Sequence, residues 1–170
     1  MGMRRRDVLM AAAAAPLAGC AAADVKGFAD LAAARQAIEG LASGWRSSGA
    51  WSLAQMLDHA AQSIEFSMSG FPEMKPALFR HTVGAAAFAV FKARGAMNHS
   101  LDEPIPGAPA LSAPDALPTA MERVLKALRD FEAYNGVLRP HFAYGELDKP
   151  DYTRAHLMHL ANHWQEVVRA

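Results

Sequence analysis

The sequence predicts an all-α fold, a four-helix bundle with an extra short helix or long loop. Three observations carry this expectation. The composition is 52% hydrophobic and alanine-rich, with few β-branched runs. Apolar residues recur at spacings of three and four in five segments. Glycine and proline punctuate the gaps between those segments, and no stretch alternates convincingly as a strand. A chain of 170 residues suits one domain with one core. Its formal net charge of zero gives no basic footprint, which argues against nucleic acid as a partner.

The first helix is expected from Phe28 to Ala42, with Phe28, Leu31, Ala34, Ile38 and Leu41 at helical spacing and Ser43-Gly44 as its end. The second comes after Trp51-Ser52. Ser52 and Gln55 form a capping-box pattern, and Leu53, Met56, Leu57, Ala60, Ile64 and Met68 make its core stripe. Asp58, Gln62 and Glu65 are expected to face water. His59 lies on the edge of the stripe, where a lone histidine is usually structural. Gly70 and Pro72 end this helix.

The third helix is expected from Lys75 to Arg94, with Leu78, Val83, Phe88 and Phe91 as its bulk. His81 and His99 have no spacing partner and read as structural or exposed. Residues 96–117 form a proline-rich loop, long enough to suggest a functional cover over one end of the bundle. The fourth helix is expected from Pro118 to Tyr134, with Met121, Val124, Leu125, Leu128 and Phe131 inward and Arg123 outward. Residues 137–147 make an irregular link.

The last helix starts at Asp148, with Pro150 and Asp151 in its first turn. At about 100° per residue, Tyr152, His156, His159, Leu160, His163 and Val167 share one face, which should be buried. His159 and His163 are one turn apart, so both imidazoles can reach one cation at roughly 2.0–2.1 Å. Buried histidines bonded to neighbouring core groups are the alternative. Several buried histidines each need partners for two nitrogens, and one cation serves several at once.

The N-terminus reads as an export signal. Arg5-Arg6-Asp7-Val8-Leu9 resembles a twin-arginine signal, and Leu17-Ala18-Gly19-Cys20 resembles a bacterial lipobox. The expected organisation is a signal peptide over 1–19, a tether over 20–26 and a helical domain over 27–170. Cys20 would be the lipidated residue of a periplasmic, membrane-anchored lipoprotein. It is the only cysteine, which excludes disulfides within the chain. The mature chain has 14 basic and 16 acidic residues, a formal charge of about −2.

Taken together, the motif order resembles the DinB-like superfamily of metal-binding four-helix bundles, through one of its uncharacterised branches. Trp51-Ser52 opens a helix carrying His59, the segment His141-Phe142-Ala143-Tyr144-Gly145-Glu146-Leu147 precedes an acid-capped last helix, and that helix carries His159-x-x-x-His163. The resemblance implies an up-down-down-up bundle over roughly residues 28–168. It also implies a divalent cation (zinc, nickel or iron) held by His59, His159 and His163. Many members of the branch carry a further histidine where this chain has Asn162. His156 matches a histidine common in the branch, as a supporting group or substitute ligand, and His141 would help close the mouth of the site. Superfamily members are often dimers, so a homodimer is one partnership it suggests.

Three neutral imidazoles leave coordination positions open for water or a small-molecule substrate. The leading expectation is therefore an exported metal-dependent hydrolase or transferase. Thiol transfer fits an exported protein poorly. A non-catalytic metal-binding or envelope interaction lipoprotein is the alternative. An enzyme needs an open ligand position beside a pocket, whereas a structural site would be closed.

Overall fold

The computed structural model describes residues 25–41 and 44–170. Arg5, Arg6 and Cys20, which carry the export and lipidation expectations, lie outside them. Five helices make up most of the described residues, with one small two-stranded sheet. None of these helices is long and apolar enough to cross a membrane.

Helix α1 (Leu31–Glu39) is capped by Asp30, whose carboxylate accepts from Ala33 N at 2.7 Å. It is shorter than expected. Phe28 is buried ahead of it, packed edge-on against Trp164 with ring centroids 5.3 Å apart. Strand β1 (Trp45–Ser47) comes next and pairs antiparallel with β2 (Val167–Arg169). This corrects the expectation of no strand and the extension of the last helix to Val167. Three residues per strand are too few to show an alternating pattern. Val167-Val168 carries β-branched side chains that favour extension. The Arg169 guanidinium lies 4.1 Å from the Trp45 ring centroid across this pair.

Helix α2 (Leu53–Ser69) has the full capping box: Gln55 N donates to Ser52 Oγ at 3.2 Å, and Ser52 N donates to Gln55 Oε1 at 3.0 Å. It is buried nearly all round. Asp58 and Gln62, expected to face water, are 2% and 1% exposed. The long loop lies across this side of α2. Ser112 N donates to Asp58 Oδ2 at 3.0 Å, and Gln62 Nε2 donates to the Pro109 carbonyl at 3.0 Å. Arg123, expected to point outward, reaches the same side and bonds Asp58 at 2.6 Å and Glu65 at 2.6 and 3.0 Å.

The third helical run, α3, consists of Ala77–Phe79, a π-helical turn over Arg80–Gly84, and Ala85–Arg94, ending at Gly95 with φ +62. The extra residue in the π turn rotates the residues before it by about 100° against those after it. Phe88 faces inward, while Leu78, before the turn, and Val83, within it, are 77% and 60% exposed, which corrects their expected inward placement. Phe88 joins Met97, Ala155 and Met158 in a small satellite core.

Helix α4 (Leu117–Ala133) buries Ala120, Val124, Ala127, Leu128 and Phe131. Helix α5 (Lys149–Trp164) starts at Asp148, whose carboxylate accepts from Asp151 N at 2.8 Å. Its buried face holds Tyr152, His156, Leu160 and His163, as the periodicity predicts, whereas His159, expected on the same face, is half-buried. Helix α2 packs most extensively on α4 and also on α5, while α1 packs on both α4 and α5. One apolar core runs between these four helices.

Candidate metal centre

The packing of α2 against α5 brings His59 to His159 and His163. Their ligand nitrogens all lie within 4.8 Å of one another. His159 Nε2 is 3.1 Å from His59 Nε2 and 3.2 Å from His163 Nε2. Two nitrogens bound to one zinc ion stand roughly 2.9–3.4 Å apart, for angles between right and tetrahedral. Both separations from His159 fall inside that range, and the third pair lies within 4.8 Å, so the three side chains are close enough to hold a divalent cation.

Protons alone serve this arrangement less well. His159 Nε2 either donates to one neighbour or accepts from its neighbours. If it accepts from both, two N–H groups share its single lone pair, while the Nδ1 atoms of His59 and His163 lack a partner with or without a cation. Both Nδ1 atoms are buried with no hydrogen-bond partner among the described residues. A cation satisfies all three Nε2 lone pairs at once.

Burial keeps these imidazoles in the neutral form that binds metals. Desolvation, reinforced by neighbouring histidines, lowers the His59 pKa to about 4 and that of His163 to about 3, and holds His159 well below its ordinary value. Trp51 packs against the group, with its ring centroid 4.9 Å from that of His59 and 6.0 Å from that of His163.

His99, read from the sequence as structural or exposed, joins this group. Its ring centroid lies 4.9 Å from that of His159 and 5.4 Å from that of His163, against 4.9–5.2 Å among the three histidines themselves. The proline-rich loop delivers it. Asn162 Nδ2 donates to the His99 carbonyl at 3.3 Å, and His99 Nδ1 donates to the Ser100 carbonyl at 2.6 Å. Without helical spacing, a loop histidine gives no local signal of its place.

His156 and His141 lie outside the group of three. Ser67 Oγ donates to the Ile64 carbonyl at 2.6 Å, so at 3.3 Å from His156 Nε2 it acts as the acceptor. The His156 ring is edge-on to Phe131 and stacked on Tyr152. His141 sits in a tight turn closed by His141 N to Gly145 O at 2.8 Å and Gly145 N to His141 O at 3.1 Å. Burial lowers both pKa values to about 3. Both rings line a cavity of about 160 Å³ that also reaches His59, His99 and His159. Ser63, one turn after His59, lines it as well.

A family model described as "Protein of unknown function (DUF1569)" matches residues 24–170. No curated protein and no solved structure matches the chain. That match spans the site, the cavity and every helix described above, and the chain belongs to the DUF1569 family.

Proposed function

We propose that this chain is an exported, divalent-metal-binding helical bundle of the DinB-like kind, and that it is a metal-dependent enzyme, a hydrolase or transferase acting on a small molecule. The observation that carries the reading is the convergence of three neutral histidine Nε2 atoms beside a cavity. His59, His159 and His163 would hold zinc, nickel or iron. When bound, such a cation supplies Lewis-acid polarisation and activation of a nucleophile. The protein's own part is to hold the three rings neutral and fixed, and to keep bulk water out with the loop over α2. The cavity favours the enzyme over the non-catalytic metal-binding lipoprotein, for which a closed site would suffice.

Cobalt(II) substitution tests the open position. The account expects a visible absorption spectrum from nitrogen ligation that changes when azide is added. A spectrum indifferent to azide would mean a closed centre and would favour the non-catalytic reading.

The export part of the proposal rests on Arg5, Arg6 and Cys20 in the sequence. A lipid anchor at Cys20 predicts that the protein fractionates with membranes and that Cys20→Ser releases it. Equal partition of both forms would contradict the anchor. A homodimer is also proposed, with the exposed Leu78, Val83 and Val90 on α3 as its apolar contact face.

A further inference from the structure

His141 is 7% exposed and its ring is held on several sides. It stacks on Tyr144 with centroids 4.2 Å apart and planes 9° from parallel, and it packs against Phe71 and Phe142. Its Nδ1 accepts from two backbone amides, Ala143 N at 3.1 Å and Tyr144 N at 3.2 Å. A ring nitrogen accepting two N–H bonds carries no proton. The neutral ring therefore holds its proton on Nε2. Nε2–H has no partner among the described residues, yet it is not sealed inside the protein, and the ring lines the cavity beside the three-histidine group. A nearly buried, unpartnered donor at a cavity wall calls for an acceptor on a ligand.

His99, lining the same cavity, shows the opposite polarity. Its Nδ1–H is taken by the Ser100 carbonyl, so Nε2 of the neutral ring is an acceptor. The remaining wall is largely apolar, including Met97, Ile105 and Ala155, with one cation, Lys75, and one acid, Glu103. About 160 Å³ is close to a cavity that holds one benzene molecule, so only the reacting end of a substrate enters.

We propose that this cavity binds a small neutral amide, its carbonyl oxygen accepting from His141 Nε2–H and its N–H donating to His99 Nε2. The assignment rests on the enzyme reading above and names the substrate class of that site. A fixed neutral imidazole donor suits a carbonyl oxygen, which needs polarising but carries no full charge. Lys75 and Glu103 on the same wall carry opposite charges, so the cavity has no net charge to offset the desolvation of a carboxylate.

The test uses benzamide, with benzoate as its charged counterpart, titrated into the zinc-free protein and followed by nitrogen-15 NMR of the histidine side chains. The expected result is His141 in the Nε2–H tautomer, a benzamide-dependent shift of that proton, and weaker binding of benzoate. His141→Phe keeps an aromatic ring beside Tyr144 and should weaken benzamide by about five-fold, with zinc uptake unchanged. An Nδ1–H tautomer, unaltered benzamide binding in His141→Phe, or tighter binding of benzoate would each overturn the proposal. If His141→Phe does not fold, the tautomer and the shift in the unsubstituted protein decide. Failure of the metal reading is a separate result, seen as no zinc uptake by the unsubstituted protein.

Discussion

Desolvation, helped by neighbouring histidines, holds the histidines of the centre neutral, and this has a consequence for stability. The lowered pKa values of His59, His141, His156 and His163 mean that the unfolded chain binds more protons than the folded one between about pH 4 and pH 6.5. The stability these groups contribute is present above about pH 6.5 and is lost as pH falls. Urea denaturation of the metal-free protein should show a falling midpoint from pH 7 to pH 5, and a flat profile would contradict buried neutral rings. Asp58 makes a second case. Its carboxylate is 2% exposed and bonded to Arg123 and to Ser112 N. Arg123→Ala should cost about 1–3 kcal/mol, because a buried charge loses its cation but keeps one amide. The sequence placed both residues in water because helical periodicity describes a helix alone. A loop laid across the polar side of α2 leaves no mark on that period. The His159–His163 pair was legible from its spacing, whereas His59 joined it only through the resemblance, and His99 carried no periodic signal.

At the scale of elements, two helix starts were legible, since caps are local: Ser52 and Asp148 each accept from a first-turn amide. The Asp30 cap went unread, and α1 starts later than the expected Phe28. Ser52→Ala should lower stability by about 1 kcal/mol in thermal unfolding, without loss of the fold. Irregular elements were not legible. The β1–β2 pair is too short to show its period, and the π turn in α3 depends on the segment it packs against. That contact is close: a Cβ at Gly84 would overlap the Ala143 carbonyl oxygen. Gly84→Ala should therefore displace the turn holding His141 and destabilise the fold by about 1–3 kcal/mol. A structure of that variant with the turn unmoved would show that α3 shifts instead.

Over the whole molecule, the chain closes on itself around α2. The core joins it to α1, α4 and α5, the long loop covers its polar side, and β2 ties the chain's end to the segment before Trp51. A metal held between α2 and α5 would fasten two elements distant in sequence. Zinc at one hundred times its dissociation constant should then stabilise the fold by about 2.7 kcal/mol, read as a raised unfolding temperature absent from His159→Ala.

The central claim is that His59, His159 and His163 hold one divalent cation. Elemental mass spectrometry of the purified protein, carrying no tag histidines, tests it most directly, with His159→Ala and His163→Ala alongside. The account predicts about one zinc, nickel or iron ion per folded chain and none in either variant. A folded protein that carries no metal and takes up none of the three would contradict it, and the converging imidazoles would then be a packing feature of the core.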